Sequence, residues 1–142
     1  MKPIEVNKGV HHVNSGLVIA SGTAHIEASG SATVILFDQA SARVGGQGHC
    51  TAMGESRVIL LENAEAVMHK RSQLEAFDAT TWTALDDSTV TAYDTSSGFV
   101  GHRAVFHGKA ASKAYSMSSG DFTLEGVAVL EVVQNGKLVV YP

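Results

Sequence analysis

His25 and His49 stand at positions i and i+24, with Glu27 and Thr51 two places beyond them. Imidazole and carboxylate are ligands of zinc and similar ions, but such a site takes three or four donors at fixed geometry. Only two or three are offered, and polar residues on a solvated face are the competing reading. The same interval relates Asp38, Glu62 and Asp86, each followed by a further polar residue: Gln39, Asn63 and Asp87. Carboxylates stacked at that spacing repel, and a calcium ion would relieve the repulsion. Against this, the glycine-rich nonapeptide of calcium-binding β-rolls is missing, and side chains at a corner can splay into water. These five residues are weak candidates for metal ligands, and no metal or other cofactor is expected.

Other chemistry is offered more weakly. "GGQGH" (45–49) superficially resembles a phosphate-cradling loop, yet no helix follows it and no Lys-Ser or Lys-Thr pair is present. Ser, His and Asp are plentiful without a nucleophile motif such as G-x-S-x-G. Cys50 occupies an apolar position, where a thiol acts as a small hydrophobe more often than as a nucleophile. The T-x-T pairs Thr81/Thr83 and Thr89/Thr91 resemble those of ice-binding solenoids, but are eight apart and do not build one array. The chain is expected not to be an enzyme.

The elements that would position these residues emerge from the bulk composition and a repeat. The 142 residues suffice for one domain with a real core. A formal charge of −4 argues against nucleic acid or an anionic membrane as partner. A single cysteine makes no internal disulfide. No apolar run reaches the length of a signal h-region or a membrane span, which predicts a cytoplasmic protein, or a virion component if phage-encoded. Fourteen glycines against two prolines point to strands and turns.

Stepping by eight from Val10 gives Val18, Ile26, Val34, Ala42, Cys50, Val58 and so on to Leu138, with no charged residue. Two residues later the column runs from His12 through Leu36, Leu60 and Met68 to Val140. Two residues earlier, every member from Gly16 to Gly136 is Gly, Ala, Ser or Thr. Three alternate inward positions in each octad are the period-2 signature of a strand with one buried face. The two remaining positions hold turn residues, among them Gly22, Gly30, Asp38, Gly46, Gly54, Asp78, Asp86 and Asp94. The helix-like stretch 61–77 keeps this register and therefore reads as strand.

"VILFDQA" (34–40) and "VILLENA" (58–64) repeat at 24, and bulky core residues also sort by 24: Val34, Val58, Trp82, Phe106, Leu130. Three octads per coil predict an all-β, single-chain, three-sided parallel β-helix of about six coils, right-handed by the usual twist preference. The solenoid domain is expected over 1–142, with residues 1–9 as an N-terminal cap or lead-in and 136–142 as the C-terminal edge. Lys2, Lys8 and His12 would interrupt the apolar columns at the first end, and Pro142 would stop the ladder at the other.

"DDSTVTAYD" (86–94), with echoes in "SGSATVILFD" (29–38) and "SQLEAFD" (72–78), resembles the D-S-A-T-V-x-A-Y octad arrays of β-solenoid proteins from bacteria and their phages. The resemblance implies the fold and no specific activity. In size and coil count the chain is also similar in architecture to bactofilins, small β-helices that polymerise end to end, although their glycine-rich motif is absent.

In the three-sided register, Ile35, Phe37, Ile59, Leu61 and Leu85 share one outer face and form an apolar patch larger than a monomer comfortably exposes. That patch predicts a non-enzymatic scaffold or protein-binding module, associating with itself or with another protein. The alternatives are an immunity or anti-defence inhibitor of a basic toxin or enzyme, and an end-to-end polymer of the bactofilin type.

Overall fold

The structure, a computed structural model, describes residues 3–101, 103–116, 122–134 and 137–141. Every regular element among them is a strand. In chain order these are β1 (Ile4–Val6), β2 (Val10–Val13), β3 (Leu17–Ala20), β4 (His25–Ala28), β5 (Thr33–Leu36) and β6 (Ser41–Val44). Next come β7 (His49–Ala52), β8 (Arg57–Leu60), β9 (Glu65–Met68), β10 (Gln73–Ala76), β11 (Thr81–Ala84) and β12 (Thr89–Ala92). The last six are β13 (Ser97–Val100), β14 (Val105–Gly108), β15 (Lys113–Ser116), β16 (Phe122–Leu124), β17 (Val129–Gln134) and β18 (Lys137–Tyr141).

The octad does what its pattern demands. Each four-residue strand alternates outward and inward, and its inward residues, such as Val34 and Leu36 or Val58 and Leu60, are fully or almost fully buried. The strand then turns at a residue of positive φ. Gly22, Gly30, Asp38, Gly46, Gly54, Asp78, Asp86 and Asp94 all have φ between 54° and 64°, in the left-handed region where glycine and aspartate are least penalised. Inside each turn sits the small column: the N–H of Ala40 donates to the carbonyl of Phe37 (3.1 Å), and Ala40 is wholly buried. At Ser72, Thr80, Ser88 and Ser96 the hydroxyl also donates to the same carbonyl, as Ser88 does to Leu85 (2.6 Å) and Thr80 to Phe77 (2.8 Å), whereas the buried hydroxyls of Ser56 and Ser112 do not. A larger residue there would have to enter the core at the bend.

The fold is a parallel β-solenoid, but the coil is not the expected three-sided one built of three octads, and there are not six of them. From β3 to β17 each strand pairs with the next but one, at i+16: Thr33 with His49, His49 with Glu65 and Glu65 with Thr81. Successive octads therefore alternate between two sheets. The odd sheet runs β1-β3-β5-β7-β9-β11-β13-β15-β17-β18 and the even sheet β2-β4-β6-β8-β10-β12-β14-β16, giving about eight coils at ~16-residue spacing.

The echo at 24 has a packing cause instead. Trp82 in the odd sheet lies beneath Gly98, its sheet neighbour at i+16, where a Cβ would come within 2.0 Å of the Trp82 carbonyl oxygen and 2.3 Å of its indole. The Trp82 indole itself occupies the space at Gly98, and from the even sheet Phe106 packs on that indole with ring centroids 5.6 Å apart. At this rung the bulky Trp82 requires a glycine at +16 and meets another bulky residue at +24 from across the core, whereas Val58 and Phe106 tolerate Leu74 and Phe122 at +16. Val34 and Val58 of the two echoing segments likewise belong to opposite sheets.

Both ends depart from the octad register. Ile4 pairs with Val18 and Val10 with His25, offsets of 14 and 15 rather than 16. Val10 and His12, expected in inward columns, are consequently exposed, and His11 and Val13 turn inward. At the far end β18 runs antiparallel to β17, with Val140 opposite Glu131, instead of continuing the parallel coil. Val140, expected inward, is exposed, while Tyr141 packs on Phe122 with ring centroids 5.1 Å apart. Reversing the strand satisfies the open edge of β17 and lays a ring over the end of the core. Lys8 is exposed; Lys2, Gly136 and Pro142 lie outside the described residues.

Candidate interaction surface

With two octads per coil, the residues that share an outer face are those 16 apart. The first corner after an odd strand belongs to one edge of the solenoid, and the corner after an even strand to the other. The five residues expected to form one patch are divided accordingly. Ile35 points outward from β5 in the odd sheet, and Phe37 and Leu85 stand on the adjoining edge, after β5 and β11. Ile59 points outward from β8 in the even sheet, and Leu61 is at the opposite edge. Ile59 is 37% exposed between Arg43 and Glu75, its sheet neighbours, so it is a lone apolar residue among charges.

Three of the five therefore remain together, and the true register adds residues that the sequence reading did not connect. The outward third position of each odd strand reads Ile19, Ile35, Thr51, Val67, Thr83, Phe99 and Tyr115, stacked in consecutive rungs. Phe99 and Tyr115 are in ring contact at 6.2 Å. Phe37, Met53 and Leu85 widen this stripe at the edge. The signal for it was present in the sequence as an apolar column at 16, and sorting by 24 concealed it.

The two edges carry different ladders. On the edge after the even strands, Phe77 and Tyr93 stack face to face, with centroids 4.6 Å apart and planes within 2°. Lys109 follows over the Tyr93 ring at 5.6 Å and pairs with Glu125 at 3.5 Å. On the other edge, His69, Lys70 and Arg71 are followed one coil later by Asp86 and Asp87, and then by Arg103. His69 Nδ1 lies 3.7 Å from Asp86, and Arg103 Nε lies 3.6 Å from Asp87. A groove of about 940 Å³ along this edge, from Phe37 to Arg103, is lined by Phe37 and Met53 together with charged residues, of which Arg103 and Asp87 pair with each other.

The acidic corner column turns out to have a backbone role. Asp38 accepts from the N–H of Gly22 (3.0 Å), Glu62 from Gly46 (3.1 Å), and Asp78 from Glu62 (2.9 Å). Asp86 accepts from Lys70 and Asp94 from Asp78, both at 2.9 Å. In each case the donor is the left-handed corner residue one coil earlier. Asp38, Glu62 and Asp86, expected to stack in one column, do not: Glu62 is on the opposite edge from the other two. The N–H of Lys70 above all, helped by the charges of Lys70, His69 and Arg103, holds the Asp86 carboxyl below the usual carboxylate range.

His25 and His49 are separated as well, in the even and odd sheets respectively. His25 bonds Ser41 (2.7 Å) and Glu27 (3.2 Å), and His49 pairs with Glu65 (3.1 Å). Among the described residues no three His, Cys, Asp or Glu converge as a metal site would require. Cys50 is buried in the odd sheet, and burial pushes its thiol up to about 12, leaving it uncharged and shielded at neutral pH. Gly45 and Gly46 of "GGQGH" form a corner, and Gly48 is held against Val44, where a Cβ would approach to 2.7 Å. These glycines serve the bend and the core. No family model, curated protein or solved structure matches the chain in any of three comparisons.

Proposed function

We propose that the protein is a non-catalytic β-solenoid scaffold or protein-binding module that acts by association through the outer face of its odd sheet. The observation that carries this reading is the apolar stripe Ile19, Ile35, Val67, Phe99 and Tyr115, sustained over seven rungs, beside an even sheet whose outer face is charged. An apolar column of that length, half-buried for the most part and broken only by Thr51 and Thr83, is the kind of surface that a partner covers. The resemblance of its octads to solenoid arrays of bacteria and phages fits a structural role.

The other roles find less support. The end-to-end polymer needs a parallel edge at both ends, and antiparallel β18 counts against one of them. The toxin-inhibitor reading leaned on net negative charge. Five acidic side chains, Asp38, Glu62, Asp78, Asp86 and Asp94, are already engaged by corner N–H groups, so that charge has a structural use.

The test is affinity capture from source cells with wild type, Phe99→Asp and Ile59→Asp as baits. Proteins retained by wild type and by Ile59→Asp but lost with Phe99→Asp support the reading. Equal retention by all three folded baits removes the odd face from the function.

A further inference from the structure

The odd face raises the question of what covers it, and three features of the molecule bear on the answer. The first is size. Seven rungs at ~4.8 Å and three outward columns at ~6.8 Å give a face of about 34 by 20 Å, or ~700 Å² per molecule. Two such faces together hide ~1,400 Å², inside the roughly 1,200–2,000 Å² of standard stable interfaces. Neither the whole surface nor an added domain is needed to reach that size.

The second feature is charge. Along the seven rungs the ionic groups are paired within the odd sheet itself. Glu65 is bound by His49 at 3.1 Å, and Lys113 by Glu131 at 2.9 Å. A foreign partner selected by charge would find little here to read. A surface that is apolar along its middle, with few ionisable groups and those partnered within their own sheet, matches another of the same kind, as a two-fold interface demands, where one patch serves both sides.

The third feature is period. Side chains along the stripe recur at the strand spacing, with β-branched residues of similar size at Thr51, Val67 and Thr83 and larger ones at Ile35 and Phe99 on either side. Only a partner that itself presents a stacked sheet with that rise can place a side chain against every rung, as face-packed sheets do. From these features we infer that the outer face of the odd sheet is the interface of a homodimer, covered by the odd sheet of a second copy of this chain. The inference rests on the association reading above and names its partner. Ile59 and the charged even face stay in solvent.

Sedimentation velocity over a concentration series tests it, with wild type, Val67→Asp, Phe99→Asp, Thr83→Arg and Ile59→Asp, each checked for strand content by circular dichroism. Wild type and Ile59→Asp should move from 14.9 kDa toward twice that mass as concentration rises. The three odd-face variants should weaken dimerisation tenfold or more, which corresponds to about 1.4 kcal/mol. Thr83→Arg keeps the test valid if an aspartate in the stripe impairs folding, because it alters a side chain that is already polar. Wild type remaining monomeric up to about 0.5 mM, where even a weak Kd would show, overturns the inference. So does a dimer that Ile59→Asp breaks as readily as Phe99→Asp. A monomer whose capture of other proteins still depends on Phe99 overturns the homodimer and leaves the association reading standing, so the two fail separately.

Discussion

Along the odd sheet the outward third position of the strands reads Ile19, Ile35, Thr51, Val67, Thr83, Phe99 and Tyr115. Along the even sheet the same position reads Glu27, Arg43, Ile59, Glu75, Thr91, His107 and Thr123. These strands are otherwise built alike among the described residues: four residues each save the three of β16, the same inward alternation, and left-handed corners on both edges. Nothing in the backbone distinguishes the two faces, so the backbone does not account for the apolar one. The interior differs less in polarity than in shape. The odd sheet supplies the largest core residue, Trp82, and the glycine at position 98 that its indole makes necessary, while the even sheet supplies Phe106 to pack on that indole.

The difference between the interiors can be broken with the largest effect. Trp82→Ala should cost about 4 kcal/mol, the range for removing a buried aromatic, measured as the loss in midpoint of a urea titration. Gly98→Ala should cost about 3 kcal/mol, because the added methyl overlaps both backbone and indole of Trp82. The double variant Trp82→Leu with Gly98→Ala should recover only the part due to the indole, because the overlap with the Trp82 carbonyl oxygen remains. If Gly98→Ala is neutral alone, the packing account of the echo at 24 fails.

Corner hydrogen bonds come next and should be similar on the two edges. Asp78→Ala removes the acceptor of the Glu62 N–H and should cost about 1 kcal/mol, with Asp78→Asn recovering most of it, since an amide oxygen still accepts. Asp86, on the other edge, adds a pH dependence. Its folded carboxyl ionises below the ordinary range, so its contribution is fully present above the unfolded pKa of about 3.9 and is lost as pH falls through the folded value. The advantage of wild type over Asp86→Asn in thermal midpoint should therefore be constant near neutrality and disappear in acid. A difference that persists at pH 2 would mean that the carboxylate charge is not what matters. The smallest effect is at the outer even face, where Ile59→Thr should change stability by less than ~0.5 kcal/mol.

Much of the local structure was legible from the residues. The inward columns from Val18 to Val132, the small column at Ala24 to Ser112 and at Ala128, and the corners at Gly22, Asp38, Asp78, Asp86 and Asp94 occur as the octad predicts. The reading of residues 61–77 as strand also holds, in β9 and β10. What went unread was longer in range. Ile35 and Ile59 are alike in type and setting, and only pairing shows that one faces away from the other. At the N-terminus the shorter offsets turned Val10 and His12 outward, a slip that no composition signal marks.

The sequence by itself determined the octad, because alternation and turn chemistry are properties of a few adjacent residues: a strand of four, a left-handed corner, a small residue inside the bend. Only the tertiary structure decided how many octads close a coil. Closure depends on the angle each corner makes and on which side chains then interlock across the core, and Trp82, Gly98 and Phe106 interlock at a spacing that imitates a third side. Since the number of octads per coil sets which residues stack, it also decided that the apolar outer stripe runs through Val67 and Phe99 and leaves Ile59 on the other face.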